Sequence, residues 1–75
     1  METSRGLGQA IRALRKMNGL TQAELASLCG LERTSITNIE LGRQILTERT
    51  INSIAQAMGY TVAVTFRKKS SRAAQ

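Results

Sequence analysis

The sequence predicts a small, mostly α-helical domain of four helices followed by one β-strand. Three observations lead to this fold class. The chain has 75 residues, which is the size of one domain. Apolar residues recur at helical spacing as far as Gly59 and then alternate with polar ones at a period of two. With no Pro or Trp, and with only Tyr60 and Phe66 aromatic, the core has to be aliphatic, which suits packed helices.

The first two helices are predicted from an apolar stripe and from capping signals. Helix 1 is expected to begin after Ser4, a good N-cap residue, and its stripe comprises Leu7, Ile11, Leu14 and Met17. Helix 2 opens at Thr21 with a Thr-x-x-Glu capping box, in which side chain and backbone satisfy each other's polar groups. The buried side of helix 2 is expected to consist of Leu25, Ala26 and Leu28.

Glycines separate the remaining helices. Gly30 makes a tight turn, and helix 3 is expected from about Arg33 to Leu41. Its exact start stays open, because Glu32 stands where Ser, Thr or Asp usually caps a helix. Helix 4 is expected to begin near Thr47 and to end at Gly59, which closes a bundle over residues 1–59.

Residues 60–67 are predicted to form a strand that pairs across a dimer. Their apolar face consists of Tyr60, Val62, Val64 and Phe66. A single strand attached to a helical bundle cannot satisfy its own backbone groups, and the same strand of a second chain would do so. A fifth helix is the alternative, and the β-branched run disfavours it. Residues 68–75 are small, polar and basic, and we expect a disordered tail there.

The charge of the chain points to a polyanionic partner. Eleven Lys and Arg against five Asp and Glu give a formal net charge of +6. Nucleic acid is the first interpretation, and an anionic membrane surface is its rival. The sequence has no apolar segment long enough to span a membrane and no signal-peptide core at its N-terminus. We therefore expect a cytoplasmic protein without a membrane partner.

The sequence contains few of the residues that catalysis or metal binding would need. With Cys29 as the single cysteine and no His, the sequence predicts no disulfide within the chain, no metal site and no nucleophile–base pair. Cys29 is read as a small buried hydrophobe, with a redox switch as the alternative. Glu24, Glu32 and Glu48 lie where helix caps and helix dipoles favour negative charge. We expect no enzyme and no cofactor.

Helices 2 and 3 carry a recognisable motif. The segments 21–26, Gly30-Leu31 and 34–40, followed by Gly42, closely resemble the Cro/repressor-type (Xre) helix-turn-helix family, and the resemblance covers roughly residues 7–59. It implies a lambda-repressor-like bundle in which helix 3 is the recognition helix. It also implies an ion pair between Arg15 and Glu40, and contacts of Gln22 and Arg43 with the DNA backbone.

The residues of helix 3 support the same interpretation independently. Ile36 and Ile39 face the core, and a second face consists of Arg33, Thr34, Thr37 and Asn38. Arg can pair with guanine, Asn with adenine, and Thr can touch a thymine methyl or a phosphate. Ser35 is small enough for close packing or a phosphate contact. An ordinary solvated helix face is the alternative, and the motif and the charge weigh against it.

Two functions therefore remain in competition. The first is a homodimeric repressor that binds a palindromic operator in double-stranded DNA. The second is an antitoxin that restrains a kinase-like toxin and represses their shared operon, because residues 59–64 resemble the dimerising strand of Hip-type antitoxins. An RNA binder ranks below both, since the interleaved aromatic residues that stack on unpaired bases are missing.

Overall fold

The computed structural model describes the backbone of residues 3–63 and the side chains of residues 6–63. Four helices follow one another: α1 (Thr3–Met17), α2 (Gln22–Cys29), α3 (Arg33–Glu40) and α4 (Glu48–Ala57). The prediction of a four-helix bundle is confirmed. Helix α1 begins at Thr3, so Ser4 lies within the helix and is not its cap. None of the helices in this part of the chain is long and apolar enough to cross a membrane.

Capping hydrogen bonds fix where α2 and α4 begin. The Thr21 hydroxyl accepts from the Glu24 amide at 3.0 Å, and the Glu24 carboxylate accepts from the Thr21 amide at 2.8 Å. Thr47 accepts from the Thr50 amide at 3.1 Å. Glu32 occupies the cap position of α3, and its side chain makes no capping bond. The start of α3, which the sequence left open, is therefore defined without the usual side-chain cap.

Residues from all four helices form one aliphatic core. Its most buried members are Leu25, Ile36, Ile39 and Ile54. The prediction that Leu28 is buried is wrong, since 58% of this residue is exposed. Leu25 and Ala26 set the buried direction of α2, and Leu28 lies roughly 110° from it at 3.6 residues per turn. Met17, the last position predicted in the α1 stripe, is 76% exposed.

Gly8 sets how closely α1 packs on α3. A Cβ atom at this position would overlap the carbonyl oxygen of Ile39 and crowd the backbone of Glu40. Glycine therefore lets the two helices approach at the C-terminal turn of α3. This crossing brings α1 against the helix that carries the predicted recognition face.

The last of the backbone bonds that follow α4 in the described residues runs from the Tyr60 amide to the Ala55 carbonyl at 2.9 Å. Residues 60–63 form no strand within the described part of the chain, and Tyr60 and Val62 are partly exposed. The rest of the predicted strand, with Val64 and Phe66, lies outside the described residues, as does the predicted tail. Strand pairing across a dimer stays a prediction.

Candidate nucleic-acid interface

Helices α2 and α3 are joined by a turn of three residues. Gly30 ends α2 in the left-handed conformation, and the Leu31 amide returns to the Ala26 carbonyl at 2.9 Å. Leu31 then packs against the core. The turn therefore fixes α3 relative to α2 through both a backbone bond and apolar packing.

The outer face of α3 is polar. Ile36 and Ile39 have no exposed surface, so the direction in which α3 faces the core is fixed. Thr34 and Asn38, one helical turn apart, lie on the opposite side. Arg33 and Thr34 are exposed, whereas three residues are half-buried: Ser35, Thr37 and Asn38. The side chains predicted to read bases therefore share the outer face of α3, and the opposite face of this helix packs against the core.

Arg43 is held next to the end of α3. Gly42 has a φ of +76°, a conformation that favours glycine, and it reverses the chain after Leu41. The Arg43 amide then donates to the Asn38 carbonyl at 2.9 Å. Its side chain is exposed. The side chain of Arg43 therefore starts from a backbone position beside Asn38, at the edge of the polar face of α3.

Arg15 and Glu40 form a buried ion pair between α1 and α3. The Arg15 guanidinium donates from Nε to Glu40 Oε2 at 2.6 Å and from Nη2 to Oε1 at 3.1 Å. Its Nη1 donates to the carbonyl of Leu20 at 2.8 Å. The two residues are only 8% and 6% exposed. The guanidinium thus ties α1, the end of the α1–α2 connection and the last turn of α3 to one another.

Gln22 links this ion pair to the face of α3. Its Nε2 donates to Glu40 Oε1 at 3.0 Å, and its Oε1 accepts from the Thr37 hydroxyl at 2.8 Å. The same hydroxyl also lies 3.1 Å from the Arg33 carbonyl, its alternative acceptor. Both ends of the Gln22 amide are therefore engaged within the protein. One Nε2 hydrogen and the backbone amides of Gln22 and Ala23 remain for a phosphate, since the Glu24 amide is engaged in the capping box.

The ionisation of Glu40 follows from these contacts. Burial by itself raises the pKa of the Glu40 carboxyl, but the hydrogen bonds from Arg15 and Gln22, with the nearby charges of Arg15 and Arg12, lower it below its ordinary value. The hydrogen bond to Glu40 raises the pKa of Arg15. The pair therefore stays charged at neutral pH.

Cys29 packs against the core and is half-buried. Burial raises the pKa of its thiol, which disfavours the reactive thiolate. No group of three or more His, Cys, Asp or Glu side chains comes together among the described residues as metal ligands would.

The structure adds two residues that the sequence analysis did not assign to the interface. Gln9 and Arg12 line a cleft of about 340 Å³ together with Gln22, Thr37 and Glu40. Arg12 is exposed, so a cation of α1 lies beside the predicted DNA-facing side chains. The signal was the polar spacing of Gln9, Arg12 and Lys16 on α1, which becomes informative only when the α1–α3 packing is known.

A family comparison identifies this arrangement. Residues 8–68 match the model of a family described as "Helix-turn-helix domain". The chain belongs to this helix-turn-helix family. In the helix-turn-helix domain, α2 and α3 are the two helices of the motif, and the predicted resemblance is confirmed at the level of the family. The more specific resemblance to Hip-type antitoxins has no such support.

Curated proteins similar to this helix-turn-helix domain include three regulators. A competence pilus inhibition repressor of Acinetobacter baylyi is 33% identical over 60 residues, which are 80% of this chain and 54% of that protein. An immunity repressor protein of Bacillus phage phi105 is 37% identical over 76% of this chain and 40% of its own length. The control protein C.SmaI of Serratia marcescens is 32% identical over 83% and 74%. The chain thus spans about half the length of the first two.

Two solved structures resemble the helix-turn-helix domain. The clp gene regulator ClgR from C. glutamicum superposes with a TM-score of 0.77 at 29% identity, over 79% of this chain and 76% of that one. The restriction-modification controller protein C.AhdI from Aeromonas hydrophila gives 0.73 at 34% identity, over 75% and 81%. All five of these similar proteins are named as repressors, regulators or control proteins, which agrees with the prediction of a DNA-binding transcription regulator. These relatives lend no support to a kinase-like toxin as partner.

Proposed function

We propose that this protein is a homodimeric repressor that places α3 in the major groove of a palindromic operator. The observation that carries the proposal is the polar outer face of α3, whose opposite side is fixed by the buried Ile36 and Ile39 and by the Arg15–Glu40 ion pair. A major groove admits one helix and is read by short polar side chains that project from it. The net charge of +6 supplies the attraction to the DNA backbone.

The base-reading roles go to the most outward side chains. Arg33 pairs with guanine O6 and N7, and Asn38 with adenine N6 and N7. Thr34 touches a thymine methyl or a phosphate, and Ser35 lies close enough to the helix start for a phosphate contact. Because the hydroxyl of Thr37 is engaged within the protein, its methyl group is what it offers to a base.

The backbone-contacting roles go to Gln22, Arg43 and Arg12. Gln22 is held in place by Glu40 and Thr37, so its free Nε2 hydrogen and the first amides of α2 approach a phosphate as one unit. Arg43 and Arg12 are exposed cations at two edges of the same surface. In this proposal residues 1–59 bind DNA, residues 60–67 make the dimer, and residues 68–75 add basic charge.

Asn38→Ala tests the reading of bases. We expect it to weaken binding to the operator by about 1–3 kcal/mol and to relax discrimination at one base pair of each half-site. The measurement is a set of binding isotherms on the operator, found by footprinting upstream of the protein's own gene, and on single-base variants of it. Asn52→Ala, at a half-buried Asn of α4, is the matched control and should leave discrimination unchanged. Full discrimination in both Asn38→Ala and Arg33→Ala would contradict these assignments.

Arg43→Ala and Arg12→Ala test the backbone contacts. Each should weaken binding to specific and unrelated duplexes alike, and each should reduce the slope of log K against log salt by about 0.9, the value for one lost phosphate contact. The measurement is the affinity at a series of salt concentrations. Arg43→Lys keeps the charge and should keep the slope. If Arg12→Ala has the same salt slope as the wild type, Arg12 makes no phosphate contact and α1 does not belong to the interface.

A further inference from the structure

A second surface, which is apolar where the outer face of α3 is polar, lies between α1 and α4. It is a groove of about 130 Å³ with an almost entirely apolar lining. Helix α1 contributes Leu7, Ala10 and Leu14, and Ile51 of α4 and Met58, which follows α4, line the other side. The buried Ile11 and Ile54 lie at its base. The apolar stripes of the two helices thus run along a groove that the described residues leave partly open.

The segment that follows α4 leads into this groove. Val62 is part of its lining and is still 42% exposed. Within the described residues, the backbone groups of Thr61, Val62 and Ala63 form no hydrogen bond. Side chains two residues apart share a face in an extended chain, so Val64 and Phe66 continue the apolar row that Val62 begins. The groove and a segment whose backbone forms no hydrogen bond within the described residues therefore occur at one place.

We propose that the groove between α1 and α4 receives Val64 and Phe66 of a second copy of this chain. The inference rests on the proposed dimer and names the surface into which its strand packs. Each protomer's Val62 covers one end of its own groove, and the antiparallel strand of the partner covers the rest. A two-fold axis makes both grooves equivalent, and the paired strands satisfy each other's free backbone groups.

The unpaired edges of an extended segment favour a second copy over folding back of the same chain. Phe66 buries on the order of 150–250 Å² when packed, so two copies contribute roughly 300–500 Å². The exposed parts of Tyr60 and Val62 and the walls of the two grooves add to this area. A segment that folded onto its own groove would bury no surface between chains and would leave both strand edges unpaired.

Ala10→Glu tests the groove against a closely matched control. Ala10 and Ala13 are both exposed residues of α1, but only Ala10 lines the groove, so Ala13→Glu adds the same charge to the same helix elsewhere. We expect Ala10→Glu to weaken dimerisation at least about tenfold in sedimentation equilibrium and Ala13→Glu to leave it unchanged. Circular dichroism should show intact helices in both. Equal dimer dissociation constants for Ala10→Glu and the wild type would overturn the proposal.

Disulfide trapping then separates the second copy from the same chain. A Cys29→Ser, Ala10→Cys protein is mixed with an affinity-tagged Cys29→Ser, Val64→Cys protein, so that the mixed product forms only between two chains. We expect this product, and we expect none when Ala13→Cys replaces Ala10→Cys. A dimer that never gives it places the interface elsewhere. A dimer that binds its operator but never gives the mixed product overturns this inference alone, whereas a dimer that gives the product and binds no DNA overturns the proposed function alone.

Discussion

Replacing Glu40 by Gln is expected to lower the free energy of unfolding by about 3–5 kcal/mol, because the charge of Arg15 is left buried without its partner. The side chain keeps its shape and its place beside Gln22, so the loss reports the charge and not a cavity. In a domain of this size the melting temperature should fall by roughly 10 °C or more. Thermal unfolding followed by circular dichroism measures it. A melting temperature that does not move would show that the pair contributes nothing.

Two controls isolate the buried charge. Glu32→Gln removes an exposed carboxylate that makes no capping bond at the start of the same helix, and it should cost less than about 0.5 kcal/mol. The double variant Arg15→Gln, Glu40→Gln removes both charges and should regain part of what Glu40→Gln alone loses. If the double variant loses more free energy of unfolding than the two single variants lose together, the buried charge does not explain the effect of Glu40→Gln.

The same pair makes stability depend on pH. Because the pKa of Glu40 is lower in the folded protein than in the unfolded chain, the ion pair stabilises the fold fully above the ordinary carboxyl pKa. This stabilisation is lost as the pH falls from there through the folded-state pKa. We therefore expect the stability curves of the wild type and Glu40→Gln to converge towards acid pH. Parallel curves over that range would place the stabilisation on other groups.

Local signals made much of the fold predictable. The capping box at Thr21 acts within one turn of chain, and the structure shows it in the expected atoms. Leu28 could not be placed in the same way, because apolar residues point in several directions around α2 and only packing decides which direction is buried. The role of Gly8 depends on a contact with α3, some thirty residues away, and no local pattern announces such a contact.

The site was predictable in its residue types but not in its connections. The polar face of α3 follows from helical spacing, whereas the two bonds of Gln22 depend on how α2 meets α3. Those bonds have a consequence for recognition: Gln22 joins a buried carboxylate to a side chain of the recognition face. The phosphate contact proposed for Gln22 and the position of Thr37 are therefore linked through one amide group.

Placing Pro at Val64 is expected to give a monomer while the four helices stay folded. Pro has no backbone amide to donate, so it removes a ladder hydrogen bond from the middle of the predicted strand in each protomer. Residue 64 lies beyond α4, which ends at Ala57, so circular dichroism should change little. Sedimentation measures the dimer. Ser70→Pro places the same residue outside the predicted strand, and this control should remain dimeric.

The loss of the dimer should abolish specific DNA binding. Two recognition helices related by a two-fold axis read inverted half-sites about 34 Å apart or a multiple of that distance, and a monomer contacts only one of them. Specific binding typically exceeds non-specific binding by 10³-fold or more, so the operator affinity of Val64→Pro should approach that for unrelated DNA. Truncation after Phe66 should keep the dimer and lower affinity modestly and in a salt-dependent way, because only basic charge is removed. If Val64→Pro still sediments as a dimer and binds its palindrome normally, the two chains meet through α1 or α4 themselves, and residues 60–67 are not the dimerisation strand.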